Sequence, residues 1–259
     1  MKRFIKQAYH SKIGRVARNF TGFRPPIFLY DYEEEYLASD LFVWRTDHGF
    51  ETIFKATNIL EKFYGITSIL KFIFYDNLGN FLREMDLEFS EGALSFLINE
   101  NLLGRSGYGT FCVFNCPKKQ TSKQISITNR CYVGYGKESA FSMFHGNIVS
   151  LMVHPTKPIN EFENSIVPAV TSRKGVYRYT IQKNFDLDAT TTLCFSNPLN
   201  RVINFSVNRV KGTINSRGCN LFPVIDNQLD GLITIESDFM FPRPIIICEK
   251  GDYLDCHHA

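Results

Sequence analysis

From Ile27 onward the chain is built of short runs of β-branched, aromatic and aliphatic residues, about five to eight long, divided by Asn, Asp and Gly. The first series includes LFVWRT, ETIFKAT, SILKFIFYD, FLREMDLEF, GTFCVFN, CYVGYG and FSMFHG. A second series follows with VYRYTIQ, TTLCFS, VINFSVN, LITIES and PIIICE. This texture predicts an all-β protein. The clearest local signal is Asn77-Leu78-Gly79-Asn80 between two alternating runs, where Gly79 can supply the positive φ of a tight hairpin. EEEYLAS and SFLINEN invite a helical alternative but are too short to change the class.

The first segment has another period. Phe4, Ile5, Ala8, Tyr9, Ile13, Val16, Ala17 and Phe20 recur near the helical spacing of about 3.6. They predict one amphipathic helix that stops near Gly22, before Arg24-Pro25-Pro26 forces an extended path. At the other end of the first series, residues 154–175 carry three prolines in a mostly polar setting and read as a linker. The expected organisation is a basic helix over 1–24, a first β-sandwich-like unit over 25–153, the linker over 154–175 and a second β-sandwich-like unit over 176–259. Each unit runs through a strand, an Asn-containing turn (Asn58; Asn197), a hairpin, and a final apolar strand. Duplication of one unit would explain that order, and a limited β vocabulary would also produce it.

TIFKATNI, a spacer and ILKFIFYDNLGNFLREMDLEF together resemble the small bacterial β-sandwich proteins of the sensory rhodopsin transducer type. The resemblance covers residues 41–116 and, more loosely, 176–258. It implies a soluble, often oligomeric interaction domain without catalysis. No site residue of that family has a counterpart here.

Charge changes the picture at one place. Net charge is only +3, which gives no global ground for nucleic-acid binding. The first 24 residues, however, hold Lys2, Arg3, Lys6, Lys12, Arg15, Arg18 and Arg24 with no acid, which leaves the remainder at about -4. A basic helix with aromatic and aliphatic residues fits an anionic membrane surface or an acidic partner better than nucleic acid. No unbroken apolar stretch resembles a signal peptide or a spanning helix, so the expected location is cytoplasmic or peripheral to the membrane. The seven cysteines are scattered and odd in number, with Cys112, Cys194 and Cys248 inside apolar runs, where thiols act as small core side chains.

Candidate chemistry is sparse. There is no G-x-S-x-G elbow, phosphate loop or H-E-x-x-H. The closing GDYLDCHHA offers Asp255, His257 and His258 to a divalent metal. In an extended chain, though, Cys256 and His258 project to one face and His257 to the other, so a zinc site would need distant ligands. Two patches suit ligand binding instead. One holds Trp44, Arg45, Asp47 and His48, and the other Tyr132, Tyr135 and His145; Arg243, stiffened between two prolines, adds a guanidinium for a carboxylate or phosphate. The leading expectation is a non-enzymatic binding or accessory protein, without a cofactor, for a protein partner or carbohydrate beside surface machinery. A metal-dependent enzyme with a histidine-lined site and a homo-oligomeric structural protein are the competing classes.

Overall fold

The computed structural model describes residue 17 and residues 37–89, 92–118, 131–146, 149–153, 163–182, 189–224 and 232–259. The expected basic helix of 1–24 lies outside the described residues except for Ala17. Among the described residues no helix is long and apolar enough to cross a membrane.

The described residues are predominantly β, and every strand pair among them is antiparallel. In order the strands are β1 (Leu37–Ser39), β2 (Leu41–Arg45), β3 (Phe50–Thr57), β4 (Ser68–Asp76), β5 (Phe81–Glu88), β6 (Ala93–Ile98), β7 (Tyr108–Pro117), β8 (Tyr132–Lys137), β9 (Ala140–His145) and β10 (Leu151–Val153). They continue with β11 (Val167–Pro168), β12 (Tyr177–Gln182), β13 (Thr190–Ser196), β14 (Ile203–Val207), β15 (Val210–Ile214), β16 (Cys219–Val224), β17 (Leu232–Ser237), β18 (Ile245–Lys250) and β19 (Tyr253–His258). Among the described residues two short helices, α1 (Ile59–Tyr64) and α2 (Glu100–Leu103), interrupt the first series. Local capping explains both. The side chains of Asn58 and Asn99 accept from Glu61 N and Leu102 N, and Gly65 and Gly104 close the helices in the left-handed conformation.

Five sheets result among the described residues: sheet I is β1-β10-β11, sheet II β2-β7-β4-β5, sheet III β6-β3-β8-β9, sheet IV β12-β17-β14-β15 and sheet V β16-β13-β18-β19. This corrects the expectation of two sandwich-like units. Five antiparallel sheets of three or four strands match the sheet count of a five-bladed propeller. Their strands interleave, so the chain alternates between sheets instead of completing one before the next. The order of sheets II and III recurs in sheets IV and V with every strand number raised by ten.

Burial is the physical reason that no half closes on its own. In sheet II, Phe72 and Phe74 of β4 face one core, and Ile73 and Tyr75 face another. In sheet V, Leu193, Phe195 and Ile246 pack toward sheet IV, whereas Cys194, Ile245, Ile247 and Cys256 join the core of sheets II and III. A strand buried on both faces reads as a continuous apolar run, which is why SILKFIFYD and PIIICE lack polar alternation.

The halves are also joined at their turns. The β4–β5 turn docks on residues 215–218, where Cys219 N donates to Asn77 O at 3.1 Å. The buried Arg217 donates to Pro198 O and to Ile166 O, and its own carbonyl accepts from Thr110 Oγ1. Of the expected linker, residues 154–162 lie outside the described residues, 163–165 form a 3-10 turn, and β11 pairs with β10.

Candidate functional site

Trp44 and Tyr135 are fully buried, and their polar tips are used internally. The indole Nε1 donates to Tyr75 O at 2.9 Å, and the Tyr135 hydroxyl donates to Val43 O at 2.9 Å. Arg45 is buried as well. Its guanidinium makes a two-point bond to Asp47 at 2.9 and 3.2 Å and lies 3.8 Å from the centroid of Phe50. Burial opposes that charge, and Asp47 holds it in place. Lys137 approaches the same ring and pairs with Glu249 at 2.6 Å, tying sheet III to sheet V. His48 sits exposed in the turn after Asp47 with φ of 51°. The patch of Trp44, Arg45 and Asp47 is thus absorbed by the junction between halves.

The histidines meet in part. His258 Nε2 donates to the backbone oxygen of His145 at 2.6 Å, with the two rings 5.8 Å apart, where β19 runs against β9. Burial lowers the pKa of His258, and its Nδ1 is buried with no hydrogen-bond partner among the described residues. Arg243 stands close enough to lower it further. His257 lies on the opposite face of β19 and contacts Asp255 at 3.0 Å. The alternation of β19 therefore splits Asp255 and His257 from His258, and among the described residues no cluster of three or more His, Cys, Asp or Glu is arranged for a metal.

A solvent-facing surface remains on the outer side of sheet III. Its pattern follows from β3, where Phe50, Phe54 and Ala56 point inward and Glu51, Lys55 and Thr57 are exposed. Register then fixes the outer neighbours. One row holds Leu97, Ile53, Gly134 and Met143; the next holds Ser95, Lys55, Tyr132 and His145; a third holds Glu51, Gly136 and Phe141. Gly134 and Gly136 leave bare backbone in the middle of this face, and the Phe141 ring covers it. A Cβ placed on Gly134 would meet Met143 Cγ at 2.6 Å and Phe141 Cε2 at 3.1 Å.

The ring lies low over the strand, yet Phe141 is 46% exposed, and Tyr132 and Leu97 on the same face are 51% and 41% exposed. Lys55 Nζ stands 5.9 Å from the Phe141 centroid, a surface contact of only about 0.5–1 kcal/mol that a ligand can displace. Tyr132 and His145 stand out in the sequence as candidates, whereas Phe141, Lys55 and Gly134 do not. The available signal was Gly134-x-Gly136 inside a strand, which indicates a close approach by another group.

No family model matches the chain, and no curated protein matches it. Among solved structures it is similar to the lectin of Pleurotus ostreatus in its apo form, at 8% identity and a TM-score of 0.23 over 92% of this chain and 82% of that one. A score that low carries no inference about fold or ligand.

Proposed function

We propose that the protein is a non-enzymatic binding protein that takes a carbohydrate on the outer face of sheet III. One observation carries this reading: the Phe141 ring is laid over Gly134 and stays partly exposed, in a face shared with Tyr132, Leu97 and Lys55. An exposed ring fixed against backbone offers a flat apolar surface to the C–H face of a pyranose. Lys55, Glu51, Ser95 and His145 around it suit hydroxyl groups.

Size favours a saccharide over a protein partner. Four strands at about 4.8 Å spacing and five residues at about 3.4 Å rise bound a face of roughly 200 Å². A stable protein interface takes about 800 Å² from each partner. A role beside surface-carbohydrate machinery would follow from that ligand class.

A microarray of immobilised neutral and acidic oligosaccharides, probed with the labelled wild type and with Phe141→Ala and Tyr132→Ser, tests the proposal. Retention by the wild type on a defined set of glycans, lost in both variants while their melting temperatures stay near wild type, supports it. Absence of wild-type retention, or retention unchanged in both folded variants, refutes it.

A further inference from the structure

We infer that the saccharide preferred at this face is acidic, a pyranoside bearing a carboxylate that reaches Lys55. The inference rests on the binding reading above and deepens it. Lys55 projects from β3 on the outer face, in register with Tyr132, and its ammonium stands over the Phe141 ring, 5.9 Å from the centroid, where a ligand can displace it. Two other lysines near this face are spent elsewhere: Lys137 pairs with Glu249, and Lys71 with Glu84 and Asp86.

The acid on the same face does not compete for Lys55. Glu51 lies four residues away along the same strand, about 13 Å at strand rise. A pyranose stacked on Phe141 would thus have a cation on one side for its carboxylate and a carboxylate on the other to accept from its hydroxyls. That asymmetry fixes the ring's orientation as well as its charge. Toward a neutral sugar Lys55 would offer a hydrogen bond to a hydroxyl, and its charge would have no partner on the ligand.

The charge can be removed from the ligand without altering its ring. A tetragalacturonate and its methyl ester share the same sugar rings and differ in that each carboxylate becomes an uncharged ester, and both can be titrated by calorimetry into the wild type, Lys55→Gln and Lys55→Arg. The expected result is that the acid binds the wild type roughly fivefold more tightly than the ester. Lys55→Gln should abolish that preference, so that acid and ester bind alike, Lys55→Arg should keep it, and 0.5 M salt should shrink it.

Equal binding of acid and ester, or a preference that survives in Lys55→Gln, overturns the acidic-ligand inference and leaves the platform reading standing. A sulfated neutral oligosaccharide that binds better than the uronate overturns the carboxylate assignment. Failure of both acid and ester to bind, together with an empty neutral array, removes the platform reading itself.

Discussion

The docking of the β4–β5 turn on residues 215–218 predicts a large and specific cost for Gly79→Ala. Gly79 has φ of 85°, and a Cβ there would overlap the carbonyl oxygen of Ser216 and crowd Gly218 N at 3.0 Å. Left-handed backbone costs an alanine about 1–2 kcal/mol by itself. Relieving the overlap requires the two turns to separate, which breaks the bond from Cys219 N to Asn77 O at about 1 kcal/mol and loosens that from Thr110 to the Arg217 carbonyl by a similar amount. The sum is about 3–4 kcal/mol.

Gly65→Ala is the internal control, since Gly65 has φ of 66° and nothing within 4 Å of its Cβ position. It should cost only the backbone term of about 1–2 kcal/mol. Urea unfolding followed by the single tryptophan, Trp44, which is buried beside this junction, measures both. Equal losses in the two variants would show that the turns are not in close contact and would refute the account of how the halves are joined.

Three more expectations follow from the same geometry. Gly134→Ala should destabilise by about 1–3 kcal/mol through overpacking against Met143 and the Ser142 carbonyl at 2.7 Å, and Gly136→Ala, whose Cβ meets nothing closer than 3.9 Å, should be neutral or slightly stabilising in the same urea assay. Because burial lowers the His258 pKa below its ordinary value near 6.5, the unfolded chain takes up that proton first; stability should therefore be full above about pH 6.5 and fall below it, and the melting temperature of His258→Phe should fall less between pH 7 and 5. Burial pushes the thiols of Cys112, Cys116 and Cys194 up to about 12, so an aromatic disulfide reagent at pH 8 should label these three only on unfolding, and rapid native labelling of any of them would contradict their placement.

Local patterns determined most of the strands. The hairpin around Gly79 forms where alternation and turn chemistry placed it, with β4 and β5 paired from Ile69 to Phe81 and Gly79 at positive φ. The helix α1 was legible in principle, because Asn58-x-x-Glu61 is a reciprocal cap in which Asn58 Nδ2 also donates to Glu61 Oε2 at 2.6 Å. The two Asn turns hold corresponding places after β3 and β13. Asn197 fixes its turn by accepting from Leu199 N and donating to the carbonyls of Arg201, Ile214 and Asn215. The alternation of the last strand likewise separated His257 from His258 before any contact was known.

What the sequence could not decide was which faces meet. Trp44 and Tyr135 have the composition of a ligand patch, and nothing along the chain marks that Tyr75 and Val43 would supply acceptors for them inside the core. Nor does the pattern distinguish a strand buried once from one buried twice, so a five-sheet body with shared cores read as two separate units. Phe141 shows the same limit in reverse. A phenylalanine in an alternating strand reads as core, and only cross-strand register, which sets two glycines beneath its ring and brings Lys55 over it, leaves it facing outward. Periodicity is a property of neighbours in sequence and determined the elements; pairing register and sheet stacking depend on residues far apart in the chain, and they alone decided which side chains were left for solvent.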